Sequence, residues 1–584
     1  MTLSRVLRCV LTVFLLSPCL LAQVAPEVCP RAAAGSVVPE PEDLRSKDGV
    51  LKIELAYRSF VDTRGQTRYC YIYAKDSSQA PTLRVRPGDE LILSLKNELP
   101  TAAMAQAMAA HAGPAAQMCV GGPMTVVSTN LHFHGLTIPP ACHQDDTLRT
   151  FIEPSSQPFE YRFRIPPTQP PGLYWYHPHV HGLNKAQVLG GASGALVVEG
   201  IEAANDFVSG LPERVLVIRD QELINPNAQP VLSASMPPPI VLRDAEGDIL
   251  NTGTGTGKPA KDLSLNFVPV SFPEYQPAVI NMRPSERQLW RVLNASAITY
   301  IHLQMLFNDI AQSLGVVALD GVPVNQNGND QKRVVWKSHI LLPPAGRAEF
   351  VVNGPPEGVR GSLVTRSVDS GPVGENDPTR PLASIMVASN APEPQSQLPN
   401  SPGTLLSLHA APLMDATPSR IRKLYFSEKL QDASNPNSPT EFYLTVDGQT
   451  PAPFDPNSAA PNMTARQGDV EDWVIENRSQ ELHAFHIHQT HFQLLEWNGV
   501  PVEEPYLRDT INVSYWDGKS PVYPSVKLRM DFRNVSSVGT FVYHCHLLEH
   551  EDGGMMGTIR VEPSPHKAAR SHSRHALPPH GNPN

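Results

Sequence analysis

The chain is poor in charge and in cysteine, and beyond its N-terminus it has no long apolar run. Only 18% of its 584 residues are charged, and the formal balance is −10. That sign excludes a broadly basic nucleic-acid-binding surface. No segment after the N-terminus approaches the roughly 18–20 apolar residues of a membrane span, so none is expected in the mature chain. Hydrophobic residues make up 41%, enough for several cores and too many for global disorder. Proline is abundant: 59 residues, about twice the usual share of roughly 5%. Proline breaks helices and is tolerated at turns and sheet edges, which excludes a mainly helical protein. At roughly 100–200 residues per domain, the length predicts about three to five domains.

The first residues have the grammar of export. Arg5 and Arg8 precede the apolar run Cys9–Leu21, and Leu20-Leu21-Ala22 suits cleavage. Residues 1–22 therefore read as a signal peptide, the other reading being an uncleaved anchor, and the protein is expected in the periplasm or secreted. Cys9 and Cys19 leave with that segment. Cys29, Cys70, Cys119, Cys142 and Cys545 remain, an odd number. In an oxidising compartment four can pair and one is left for chemistry.

Three segments resemble one another: Arg86–Asn97 (RPGDELILSLKN), Arg283–Asn294 (RPSERQLWRVLN) and Arg466–Asn477 (RQGDVEDWVIEN). Each starts on Arg, turns, and ends on Asn. Leu93/Leu95, Trp290/Val292 and Trp473/Ile475 alternate as in a strand with one buried face. The starts lie roughly 190 residues apart, a domain spacing and not a solenoid period. Short β-rich runs between Pro/Gly/Asn turns, such as Leu51–Tyr57, Phe159–Ile165, Gly194–Val198 and Arg214–Ile218, point to all-β sandwiches or barrels. The expected division is residues 45–200, 201–389 and 404–563. A Pro/Ser/Asn/Gln-rich linker covers 390–403, and a Ser/His/Pro-rich disordered tail covers 564–584. The first domain carries an insertion, 98–131, with Met104, Met108, His111, Met118 and Met124. It reads as a flap packed by its own side chains or as a site for Cu(I), which thioethers suit.

Four histidine motifs carry the chemistry: His132-Phe-His134-Gly, His177-Pro-His179, His483-x-x-His486-x-His488, and His544-Cys545-His546-x-x-x-His550 with Met555 beyond it. On a strand, residues i and i+2 share a face, so each His-x-His pair can aim two imidazoles at one cluster. Cys545 then points opposite to His544 and His546 and can serve a second site. A thiolate, two imidazoles and a thioether are the blue-copper donor set. Cys545, His550 and Met555 supply three of these, and His483, apart from His486/His488, is the candidate fourth. This use accounts for the odd cysteine. Structural zinc would call for closed Cys/His tetrads, which one unpaired cysteine cannot build.

With these motifs the chain resembles the three-domain multicopper oxidases: laccases, ascorbate oxidase and the bacterial copper-tolerance oxidases. The resemblance covers roughly residues 45–563, and His544–Met556 (HCHLLEHEDGGMM) is especially like the bacterial group. It implies three cupredoxin-like Greek-key domains and four copper ions. The type 1 copper would take His483, Cys545, His550 and Met555, and the type 2 copper His132 and His486. One type 3 copper would take His134, His177 and His546; the other His179, His488 and His544. The second repeat, with only His302 and His339, would hold no metal. Glu551 and Asp145 are the implied proton donors. Two points stay open: a register His179/His181 for the second motif, and Asp146 in place of Asp145. His181, His143 and His491 read as supporting or surface residues, and His566, His572, His575 and His580 as solvated tail.

The implied activity is laccase-like: one-electron oxidation of a phenolic substrate coupled to reduction of O2 to water. The alternative is oxidation of Cu(I) or Fe(II) in metal tolerance. A metal-free binding protein on the same fold is disfavoured by the intact donor set. Cys119 closes the insertion and Cys142 follows the first histidine motif, so these two are expected to pair, leaving Cys29 with Cys70.

Overall fold

The computed structural model describes residues 28–100, 119, 124–154, 157–229, 249–251, 253, 255–326, 333–400, 412–435, 438–458 and 460–565. The segment expected as a signal peptide, Met104, Met108, His111, Met118 and the tail beyond 565 lie outside the described residues. Met124 lies inside them and is buried with Phe151 and Val180.

The sheets come in three pairs, and each pair encloses its own apolar core. The first pair joins a four-stranded sheet to a five-stranded one whose edge strand is His132–His134. The third joins a seven-stranded sheet to a five-stranded one in which His483–Ile487 lies between Gly539–Cys545 and Thr510–Val513. Alternation drives the pairing: along Phe159–Arg164, Phe159, Tyr161 and Phe163 are buried while Glu160, Arg162 and Arg164 are exposed. The segment expected as a linker is fastened as far as described, Ser396–Gln397 pairing antiparallel with Pro212–Glu213.

The three repeated segments occupy one position in each unit. Glu90–Asn97, Arg287–Asn294 and Val470–Asn477 each have a parallel neighbour on one side and an antiparallel neighbour on the other. The terminal Asn has one job in all three. Its side-chain NH2 donates to two carbonyls: Val127 and Ile152 for Asn97, Thr299 and Leu342 for Asn294, Glu481 and Val513 for Asn477. Its Oδ1 accepts the backbone N–H two residues on, from Leu99, Ser296 and Ser479. A buried amide satisfied on both ends holds the turn that leaves each strand, which is why the repeat ends on Asn.

Two short helices, Asn184–Leu189 and Leu548–Asp552, join the first unit to the third. Asp552 accepts the N–H groups of Gly182 and Lys185, both at 2.8 Å. Both expected disulfides are present, Cys29–Cys70 and Cys119–Cys142, and Cys545 is free and buried.

Candidate metal centres

Strand register assembles the histidines. In the first unit His132 pairs across from His177. In the third, His486 pairs across from His544 and Phe485 from Cys545. The two units then face each other, with His132 stacked on His488 at 3.8 Å between ring centroids and His134 on His486 at 3.9 Å. Eight imidazoles meet there, all buried: His132, His134, His177, His179, His486, His488, His544 and His546.

Within this cluster, His179 Nε2 and His488 Nε2 each lie 3.3 Å from His544 Nε2. That is the edge of a tetrahedron whose ligands stand about 2 Å from a central ion, the usual metal–imidazole distance. His134, His177 and His546 form a second set with ring centroids 5.2–5.7 Å apart. His132 and His486 lie across from one another at 6.1 Å. His132 Nε2, His134 Nδ1, His177 Nε2, His486 Nε2 and both nitrogens of His546 are buried without a hydrogen-bond partner. So many orphaned ring nitrogens aimed at one place are costly unless a metal takes their lone pairs. Burial, then the neighbouring histidines, holds His177, His486, His488 and His546 well below the usual imidazole range. They are therefore neutral and able to ligate.

The other face of strand Gly539–Cys545 builds a smaller site. Cys545 Sγ lies 3.5 Å from His483 Nδ1 and 3.8 Å from His550 Nδ1, and the two Nδ1 atoms are 3.2 Å apart. Met555 is buried in the same core, its carbonyl accepting the Cys545 N–H at 3.0 Å. Burial pushes the Cys545 thiol up, so a thiolate there needs a cation beside it. The donor chemistry and the orphaned nitrogens fit copper at both sites.

Carboxylates orient the rings from outside. Asp145 places both oxygens 3.0 Å from His132 Nδ1 and also takes the Phe133 N–H and the Gln489 amide. Asp146 turns away to Arg149, at 2.8 Å, which separates the two adjacent acids. Glu551 lies 3.0 Å from His544 Nδ1 and 3.5 Å from His179 Nε2, and accepts from Asn184. Burial raises its carboxyl, but His544 and His179 outweigh that and hold it well below the carboxylate range. In the second motif His177 and His179 face the cluster, whereas His181 meets the edge of Phe454. His143 stacks on Phe159 outside the cluster.

Several residues here carried no signal in the sequence reading. Asp509 Oδ1 lies 3.2 Å from His134 Nε2, and the Asp509 carbonyl accepts from His486 Nδ1 at 2.8 Å. These contacts fix which nitrogen of each ring is left for a metal. Arg347, from the second unit, clamps Asp509 with two hydrogen bonds of 2.7 and 2.5 Å and also donates to the Leu173 carbonyl of the first unit. His491, which the sequence offered as a supporting or surface residue, is buried and backs the same carboxylate at 3.7 Å. Over the Cys545 site, Glu428 lies 3.0 Å from His483 Nε2 and Glu481 lies 3.2 Å from His550 Nε2. Glu481 could have been found: it stands two residues before His483 on the chain. Glu428 and Arg347 could not, because only tertiary packing brings them in.

The fold and the two donor sets define a copper redox protein. Residues 124–203 and 433–565 each match a family model described as multicopper oxidase. The multicopper oxidase mco of Staphylococcus aureus is 24% identical over 82% of this chain and 81% of its own length. Among solved structures, a multicopper oxidase from Campylobacter jejuni, described as a metallo-oxidase, superposes with a TM-score of 0.62 at 23% identity, covering 92% of this chain and 97% of that one. McoA from Aquifex aeolicus superposes at 0.61 with 18% identity over 91% and 100%. These likenesses show the cupredoxin fold. The family models, the curated relatives and the structural neighbours together indicate a three-domain multicopper oxidase, an oxidoreductase that acts with O2.

Proposed function

We propose that the enzyme holds four coppers and draws its electrons from a metal cation, Fe(II) before Cu(I), at the carboxylates over the Cys545 site. The carrying observation is that both outward ring nitrogens of that site abut acids, Glu428 and Glu481. Burial, then the charges of Glu428 and Glu375, pushes Glu481 well above the usual range. A cation at this patch relieves that repulsion, and carboxylate oxygens suit a harder ion than Cu(I), which thioethers select. The metallo-oxidase description of the Campylobacter jejuni neighbour agrees with this reading.

His483, Cys545, His550 and Met555 would hold the type 1 copper, and His132 and His486 the type 2. His134, His177 and His546 would hold one type 3 copper, and His179, His488 and His544 the other. Copper supplies the one-electron chemistry, four electrons reducing O2 to two waters. Cys545 is bonded through the backbone to His544 and His546, so the strand itself joins the two sites. Glu551, against His544, and Asp145, against His132, are placed to carry protons at the rim of the cluster. Export follows from the N-terminal segment and is supported by the two disulfides.

A phenolic donor is the second reading, favoured by Glu428. Burial raises its carboxyl, but His483 brings it down to about 2. An ionised carboxylate beside His483 would accept a phenolic O–H. Steady-state turnover of Fe(II), Cu(I) and a methoxyphenol by the copper-loaded enzyme decides between them. The metal reading expects kcat/KM to be highest for Fe(II) and to fall more for Fe(II) than for the phenol in Glu481→Gln. Oxidation of the phenol with no turnover of either metal ion would refute it.

A further inference from the structure

Between the second and third units lies a cavity of about 500 Å³ that the reaction does not use. That is within the usual size of a small-molecule pocket, roughly 300–1,000 Å³. Its walls are mainly apolar, with Val316, Leu319, Leu494, Trp497 and Ile511 among them. None of the copper-ligand histidines, nor Cys545 or Met555, is among its lining residues. It is therefore separate from the face where electrons enter.

The polar groups of this cavity are few, and two are unfinished. Arg508 binds Glu504 at 2.7 Å through Nη2, yet its Nε is buried without a partner. Asn512, only 8% exposed, has a buried side-chain oxygen without a partner. Lys337, at the mouth, reaches the same Glu504 at 3.9 Å. Two cations thus share one carboxylate, and the other acid in the lining, Asp320, is occupied by the N–H groups of Arg347 and Thr510. His302 and His339, also at the mouth, bond to each other at 2.7 Å. Burial, then Arg366, lowers His302 to about 4, so this pair adds no charge at neutral pH. The charged group with an open, buried donor is Arg508, and Lys337 shares its carboxylate.

We infer that this cavity is a second ligand site, for a small planar aromatic molecule bearing one carboxylate. Its ring would lie among the apolar side chains and Trp497, and its carboxylate would meet the open Nε–H of Arg508 beside Lys337. The inner wall includes Thr510, Asp320 and Arg347, the residues around the Asp509 clamp. A bound molecule would thus rest against the support of the histidine cluster, as an effector and not as an electron donor.

Calorimetric titration of the full copper-loaded chain with naphthoate, and with the neutral naphthylmethanol, tests this. One saturable site is expected for naphthoate, with the alcohol about tenfold weaker or more, the worth of a charge-assisted hydrogen bond. Arg508→Gln should weaken naphthoate by a similar factor and leave the alcohol unchanged, while Arg508→Lys restores part of the difference. Leu341→Trp, which fills the cavity, should abolish both. Absence of saturable binding, equal affinity for acid and alcohol, or unchanged naphthoate binding in Arg508→Gln would each overturn the inference. Should Leu341→Trp fail to fold, the acid–alcohol pair in Arg508→Gln decides alone.

Discussion

Replacing Arg347 by Met would strip Asp509 of its counter-charge at a point where all three units meet. Both side chains are fully buried, and the two hydrogen bonds between them measure 2.7 and 2.5 Å. Each charge-assisted bond is worth roughly 1.5–3 kcal/mol net. Breaking a buried pair by removing one partner costs about 3–5 kcal/mol, because the other charge stays buried. Both routes give the same expectation, a loss of about 3–5 kcal/mol. It can be read from urea unfolding of the copper-free protein by tryptophan fluorescence. Neutralising the stranded acid as well, in Arg347→Met/Asp509→Val, should restore most of that stability, since an apolar pair of similar volume replaces the ion pair. Copper affinity should not recover. His134 Nε2 then keeps only the Thr510 hydroxyl, at 3.5 Å, and losing a carboxylate support of this kind weakens metal binding about 10–100-fold. Chelator competition measures this on the same samples. A single variant within about 1 kcal/mol of the parent would refute the buried clamp, and a double variant with undiminished copper affinity would refute its orienting role.

Cys545→Ser should lose the blue colour and turnover while the histidine cluster keeps about three coppers, read by metal analysis; full activity would contradict the assignment. Met555→Leu, nearly isosteric, should keep the copper and raise the potential of the Cys545 site; potentiometry showing no rise would remove Met555 as a ligand. Glu213 sits between Arg84 and Arg291. Burial raises its carboxyl, but the two arginines outweigh that and bring it to about 2 from 4.5. Its folded value is the lower one, so its stabilisation is complete above about pH 4.5 and disappears as pH falls toward 2, at most about 3 kcal/mol. The stability gap between parent and Glu213→Gln should therefore close over that window; a gap independent of pH would show that the arginines do not act on Glu213.

What the chain disclosed and what it withheld follow from range. Phe159, Tyr161 and Phe163 announce a strand because inward and outward residues alternate along a single segment. The His-x-His pairs were legible for the same reason, and the ten histidines singled out by spacing converge in two buried clusters. Asp145 and Asp146 are neighbours that spacing could not separate; the contact with His132 separates them. Arg347, Asp509 and Glu428 were invisible because each acts on a histidine that another segment delivers, and no local period records such a meeting. The Asn at the end of each repeat was legible as a pattern but not as a lock, since its two carbonyl partners come from distant turns in most cases.

The pairing of His179 with His544 spans 365 residues of chain. A ribosome delivers these two rings at widely separated times, and neither half of the molecule can assemble the cluster alone. Filling of the eight-histidine site is thereby a signal that synthesis and docking are complete. The Cys545 site, drawn wholly from residues 483–555, could load while the ends of the molecule are still apart. Maturation would then have an order written into the connectivity, with colour appearing before the capacity to consume oxygen.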